Sequence, residues 1–278
     1  MLGPLKFHVQ VGLALETERF HFTLEKGVPE MTRRRTAASA NWQNSITPAS
    51  LGDSYTGRIV RITFCTEEQI RIRKIVSRSR MRETGKYPSW KTGRMHQWES
   101  PNENNAFFLL DYLPQVLAFR EQPCEIVYVN YDGVHASHFP DVEVDFASSR
   151  ELWEVKPEKY ANREPFKRRT EILTAELPAF GFTYQMKTAE YLALEPRQEN
   201  IRKLLNFGRR PLTGLEREHV RRELAHHGSF LWSDCRAGMF GPCGREIACR
   251  LVLEGYLELD INSAFNENAE FRPLAGGW

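Results

Sequence analysis

The sequence predicts an α/β protein, with a mixed-sheet core followed by a smaller unit of helices and a β-ribbon. Three observations carry this reading. A helix with clear start and stop signals, "SPNENNAFFLLDYLP", opens the central part. Short alternating runs separated by turn residues follow it, and a helical repeat interrupts them before a last strand. After residue 196 the pattern changes to three helical stretches and a terminal hairpin. Interleaved elements of this kind build layered α/β cores, and strands joined both by tight turns and by a helical crossover give a sheet of mixed direction.

Residues 1–70 are expected to form a weakly structured N-terminal extension. They contain two alternating fragments, "FHVQV" and "RFHFTL", and a strand candidate, "RIVRITF", at 58–64. Residues 71–192 form the core domain. There Ser100 is the N-cap, Pro101 takes the first helical position and Pro114 stops the helix. "VLAFREQPCEIVYVNYDG" reads as a strand, a break at Pro123, a second strand and a turn from Asn130 to Gly133. "HFPDVEVDFASSRELWEVKPEK" is a hairpin turning at Ser148 and Ser149. "NREPFKRRTEILTAELPAF" sets Phe166, Thr170, Leu173 and Leu177 on one helical face, and "FTYQMKT" is a further strand after Gly181.

Residues 193–278 form the second domain. "TGLEREHVRRELAHHG" is a helix with Leu215, Val220 and Leu224 toward one side. "SFLWSDCR" is a short helix capped by Ser229, "CGREIACRLVLEGY" a third helix, and "YLELDINSAFNENAEFRPL" a hairpin. Three helices followed by a β-ribbon is the winged-helix order.

The 38 basic and 36 acidic residues nearly cancel, so total charge selects no partner. Their distribution says more. Arginines and lysines concentrate between residues 32 and 82, and Tyr87, Trp90 and Trp98 follow. Cations with interleaved aromatics suit a nucleic-acid backbone and its bases, and they equally suit the edge of a core. No run of 18 apolar residues occurs, so no membrane-spanning helix is expected. Of the five cysteines, Cys235, Cys243 and Cys249 fall near His226 and His227, but without the spacing of zinc ligands. Reduced, mostly buried thiols fit better and point to the cytoplasm as the expected location.

The hairpin carries the chemistry. With Ser148 and Ser149 at its turn, Asp141 opposes Lys156 and Glu143 opposes Glu154. Alternation then gives one face Asp141, Glu143, Asp145, Glu154 and Lys156, and the other Val142, Val144, Phe146, Trp153 and Val155. Facing water, the charged side needs no explanation. Partly buried, the carboxylates need a cation, because uncompensated charge inside a protein is very unfavourable. Mg²⁺ typically takes one or two carboxylates plus substrate phosphate, with Mn²⁺ as a substitute. A lysine beside it holds water or stabilises charge developing on phosphorus. Glu103 has two roles open to it. It completes a capping box with Ser100, and its spacing to Phe107 and Leu110 turns it toward the sheet.

The "PD" and "EVK" strings form the PD-(D/E)xK signature of restriction-like nucleases. The ordered set "YPSWKTGRM", "ES" before Glu103, "EQP", "FPD" and "EVKP" resembles the TnsA family of transposon end-cleaving endonucleases over residues 85–190. That resemblance implies a restriction-endonuclease-like core and a winged-helix-like second domain. It implies Glu103, Asp141 and Lys156 as catalytic residues. Metal binding falls to Asp141 and Glu154 with Glu103 assisting, and Glu154 stands where the family often has an acid or a glutamine. Gln122 of "EQP" either shapes the site edge or serves the turn. The implied reaction is Mg²⁺-dependent hydrolysis of one DNA strand at transposon ends, alongside a transposase and an AAA-type ATPase regulator. The competing reading is a DNA-binding or scaffold protein of a mobile element or phage without nuclease activity. In that case Arg245 and Arg250 on the third C-terminal helix are candidate DNA contacts, with ordinary surface as the bland alternative.

Overall fold

The computed structural model describes residues 45–46, 57–66, 71–72 and 83–278. The fragments "FHVQV" and "RFHFTL", and most of the basic stretch before residue 83, lie outside the described residues. The chain begins with β1 (Ser45–Ile46), β2 (Arg58–Phe64), β3 (Gly85–Pro88), β4 (Met95–Trp98) and α1 (Pro101–Tyr112). Next come β5 (Val116–Glu121), β6 (Cys124–Val129), β7 (His135–His138), β8 (Val142–Phe146) and β9 (Arg150–Lys156). Then follow α2 (Glu158–Ala161), α3 (Phe166–Glu176), β10 (Thr183–Thr188) and α4 (Ala189–Leu192). The C-terminal part comprises α5 (Arg197–Phe207), α6 (Gly214–His227), β11 (Phe230–Leu231), α7 (Trp232–Arg236), α8 (Gly244–Leu253), β12 (Leu257–Glu258) and β13 (Glu270–Pro273).

The central sheet has the order β10-β9-β8-β5 and is mixed, as the pattern predicts. The tight turn makes β8 and β9 antiparallel, and the crossover through α2 and α3 brings β10 back parallel to β9. A second sheet has the order β1-β2-β6-β7. Here the expectation of a weakly structured extension is corrected for residues 58–64. β2 pairs with β6, and Ile59 and Ile62 are wholly buried. Residues three apart in a regular strand face opposite sides. A bulge between Ile59 and Arg61 adds the extra residue that turns both isoleucines inward. The sequence hides this strand's burial because the bulge breaks its period.

The α1 signals act as read. Ser100 Oγ accepts from Glu103 N at 3.3 Å, Pro101 begins the helix and Leu113 caps it before Pro114. Phe107 and Leu110 join the cluster formed by Val142, Val144, Trp153 and Val155, the apolar side of the hairpin. The other side of the central sheet gives Leu152 and Tyr184 to a second cluster with Ile59, Ile126, Leu173 and Phe182.

The "YPSWK" aromatics anchor a loop against α1. Buried Asp111 accepts from Tyr87 Oη at 2.8 Å, Ser89 Oγ at 2.6 Å and Trp90 N at 3.2 Å. Lys91 Nζ donates to Leu110 O at 3.0 Å, placing a cation at the carbonyl end of the helix. Gly85 is required by close approach, since a Cβ there would lie 2.2 Å from Trp98 Cζ2. Of the two roles open to these aromatics, the core-edge role is the one they take.

In the C-terminal part, α5 is an element the sequence reading lacks. Its Ile201, Leu204 and Leu205 are buried where it packs on α1 and α8. That i, i+3, i+4 spacing was visible in "NIRKLLNF". Thr213 and Glu216 form a capping box at α6. Val220 and Leu224 are buried, but Leu215 is 84% exposed because it sits in the first turn, before α6 reaches the core. Ser229 does not cap the next helix; β11 comes first, and Asp234 Oδ2 accepts from Leu231 N at 2.8 Å. The expected terminal hairpin is β12 paired antiparallel with β13, which also pairs with β11 to give the order β11-β13-β12. One hydrophobic cluster runs from Tyr87 and Phe107 to Leu251 and Phe271, so packing is continuous across residue 193.

Candidate active site

The hairpin register decides which charges meet. Val142 pairs with Trp153, Glu143 with Leu152 and Asp145 with Arg150. Phe146 N donates to Ser149 O at 2.9 Å, so Ala147 and Ser148 make the turn. The expected pairing of Asp141 with Lys156, and of Glu143 with Glu154, is therefore corrected by two residues. Continuing the ladder sets Asp141 beside Glu154. An even slip leaves the pleat unchanged, so the two expected faces survive.

Glu103, Gln122, Asp141, Glu154 and Lys156 all line one open cleft of about 590 Å³. Glu143 and Asp145 share the sheet face but not the cleft lining. Lys156 Nζ lies 2.9 Å from Glu154 Oε1 and 3.7 Å from Asp141 Oδ2. Val155 N donates to Asp141 Oδ2 at 2.7 Å. Glu103 lines the cleft and also holds the helix start, though not as a full capping box: Oε1 accepts from Ser100 Oγ at 2.9 Å, and Oε2 accepts at 2.8 Å from Glu99 N rather than from Ser100 N.

The electrostatics follow from crowding out of water. Burial, reinforced by the Asp141 charge, raises Glu103 to about 7 and Glu154 to about 7. Burial also raises Asp141, against the opposing pull of Lys156 and the Val155 N–H. For Lys156, burial pulls downward, but Asp141 and Glu154 outweigh it and hold the ammonium above its ordinary range. One lysine does not neutralise three carboxylates. The lysine is thus firmly charged, while its partners resist ionisation.

Two cleft-lining residues, Arg169 and His138, and Tyr184 buried behind them were absent from the sequence reading. Arg169 of α3 donates from Nη2 to Glu154 Oε1 at 2.9 Å. His138 of β7 is buried, and burial holds its imidazole well below the usual histidine range, hence neutral. Its Nε2 lies 3.1 Å from Tyr184 Oη and 3.2 Å from Glu154 Oε2. The second distance is short but lacks hydrogen-bond alignment, and Glu154 Oε2 has no donor. All three depend on packing between segments distant in sequence.

Gln122 supports the site through its backbone. Its φ is +41°, a left-handed conformation uncommon outside glycine. From there its N–H donates to Asp141 O at 2.9 Å and its carbonyl accepts from Ile72 N at 3.1 Å. Its side-chain Oε1 is buried without a hydrogen-bond partner. The expected DNA contacts diverge. Arg245 is half-exposed over the Phe207 ring. Arg250 is corrected: it pairs with Glu254 at 2.6 Å, donates to Gly208 O and covers Trp90 at 4.2 Å, so it is spent inside the protein.

The donor set fits a hard divalent ion. Asp141 and Glu154 offer two carboxylates, and Glu154 Oε2 is a buried acceptor that no protein donor satisfies. Among the described residues, no group of three or more His, Cys, Asp or Glu side chains is gathered as a metal centre. Two carboxylates are enough for Mg²⁺ when substrate phosphate and water complete its shell. All five cysteines are free, as expected, and four of them are buried.

Carboxylates and a lysine thus converge in one open cleft of a mixed α/β core. Residues 113–180 match the family model described as TnsA-like endonuclease N terminal. The resemblance carried by the motifs is thereby supported over this segment, which is similar to the N-terminal domain of TnsA-like endonucleases. The segment contains Gln122, Asp141, Glu154, Lys156 and Arg169, and Glu103 lies just before it. No curated protein matches the chain. No helix among the described residues is long and apolar enough to cross a membrane.

Proposed function

We propose that the cleft is a Mg²⁺-dependent endonuclease site that hydrolyses one DNA strand at transposon ends. The observation that carries this is the convergence of Asp141, Glu154 and Lys156 in one cleft within the TnsA-like segment. Asp141 and Glu154, assisted by Glu103, would hold the ion, which when bound supplies Lewis acidity and lowers the pKa of water. The chain's own groups do the rest. Lys156 carries a fixed positive charge where negative charge develops on the phosphoryl oxygens. Val155 N–H fixes the Asp141 carboxylate, and the Gln122 N–H fixes the Asp141 backbone. Arg169, reaching in from α3, restrains Glu154. In hydrolysis, water adds to phosphorus, one P–O bond to the sugar breaks, and the departing oxygen takes up a proton.

We read the core as restriction-endonuclease-like. The helices and three-stranded ribbon from α6 to β13 support reading that part as winged-helix-like, with Arg245 as its candidate DNA contact. The family implies a partner transposase and an AAA-type ATPase regulator, and a cytoplasmic setting follows from that role. The test is nicking of supercoiled plasmid in Mg²⁺ or Mn²⁺, with those partners added where the chain alone is silent. Wild type should nick, and Asp141→Ala and Lys156→Ala should not, while both keep the wild-type fold by circular dichroism. Nicking at the wild-type rate by Asp141→Ala would remove the assigned site.

A further inference from the structure

The segment that follows Lys156 is strongly cationic, and of its side chains the nuclease reading uses only Arg169. The chain leaves the cleft wall at Pro157 and rejoins it at Arg169. Between them run α2 and the start of α3, which pack against each other. Residues 158–169 carry Lys159, Arg163, Lys167, Arg168 and Arg169 against only Glu158 and Glu164. Lys159, Arg163, Lys167 and Arg168 are exposed. Arg168 pairs with Glu164 at 3.3 Å, a contact between two solvated side chains. Among the described residues, no carboxylate forms an ion pair with Lys159, Arg163 or Lys167. The ring of Tyr160, itself 40% exposed, lies 5.0 Å from Lys159 Nζ and 5.5 Å from Arg163 Cζ, so two of the cations share one aromatic support. At the cleft end, Arg169 spends one donor on Glu154, and its Nε has no acceptor.

Unpaired cations set side by side on a surface are self-repelling, and a polyanion relieves that repulsion by displacing its own counterions. We propose that α2 and the first turn of α3 form a track for the DNA backbone, with Lys159, Arg163 and Lys167 contacting consecutive phosphates of the duplex that enters the cleft. This rests on the nuclease reading for the identity of the polyanion. The contacts are to phosphates, so they position the duplex over Lys156 and carry no sequence preference.

The test measures binding of a fluorescent duplex across a salt series in EDTA, which separates binding from cleavage. Each phosphate contact contributes about one unit to the slope of log affinity against log salt. The variant Lys159→Ala/Arg163→Ala/Lys167→Ala should flatten that slope by about three units and weaken binding equally for unrelated sequences. A control, Lys86→Ala/Arg202→Ala/Arg209→Ala, removes the same charge from exposed positions outside both the track and the winged-helix-like part and should leave the slope within about one unit of wild type. An unchanged slope in the first variant, or equal flattening in both, overturns the track. If that happens while wild type still nicks plasmid, the nuclease reading stands without it. If the slope falls as stated but wild type never cleaves, the track stands and the nuclease reading fails. Absence of DNA binding by wild type removes both.

Discussion

Replacing Glu154 with glutamine in the metal-free protein should stabilise it at alkaline pH and do little at acid pH. The Glu154 side chain is only 2% exposed, and its pKa is raised from 4.5 to about 7, first by burial and then by Asp141. A shift of about 2.5 units corresponds to roughly 3 kcal/mol at about 1.36 kcal/mol per unit, as an order of magnitude. The sign follows from proton binding. The folded state holds the proton more tightly than the unfolded one, so this contribution to stability is complete below about pH 4.5 and is lost as pH rises through about 7. Between roughly pH 5 and pH 8 wild type therefore loses about 2–3 kcal/mol at this site. Glutamine stands in for the neutral acid at every pH. The contacts with Lys156 and Arg169 do not reverse this, because the upward shift is what remains after their attraction is included. For a chain of this size about 1 kcal/mol moves Tm by roughly 2–4 °C. Thermal unfolding in EDTA should show Glu154→Gln close to wild type near pH 5 and about 5–10 °C above it near pH 8. A variant less stable than wild type at pH 8, or an offset that is the same at both pH values, would refute the reasoning.

Two further changes separate fold from function. Asp111→Ala leaves Tyr87 Oη, Ser89 Oγ and Trp90 N without their buried acceptor, and should cost about 3 kcal/mol in urea unfolding; a loss below about 1 kcal/mol would mean that the loop does not depend on it. Arg250→Ala removes the Glu254 pair and the cover over Trp90, and should cost about 2 kcal/mol of stability with DNA affinity unchanged; weakened binding at full stability would restore it as a DNA contact.

Much of the core was legible because its signals are local. Ser100, Pro101 and Pro114 mark α1 by capping chemistry, and the period of two sorts the hairpin residues onto their faces for any even slip of register. Register itself was not legible. "ASS" offers several small residues for the turn, and the structure uses Ala147 and Ser148. β2 was read at its observed bounds, but its place in the buried core was not, because its bulge breaks alternation; α5 was overlooked although its apolar spacing was present. The cleft residues Glu103, Asp141, Glu154 and Lys156 come from motif and pleat together, and all four meet. Arg169, His138 and Tyr184 reach Glu154 or its neighbours from a crossover helix, a strand of the second sheet and the parallel strand β10. No local pattern encodes those approaches, because they exist only once the layers are packed. Arg250 shows the converse: a basic residue on a helix read as surface is consumed by packing.

The most direct measurement is anomalous diffraction from crystals equilibrated with Mn²⁺. A peak ligated by the carboxylates of Asp141 and Glu154 is predicted, and it should vanish in Glu154→Gln crystals. Saturating Mn²⁺ that leaves no peak between those two residues, or a single strong site elsewhere on the chain, would contradict the assignment of the cleft as the metal-dependent centre.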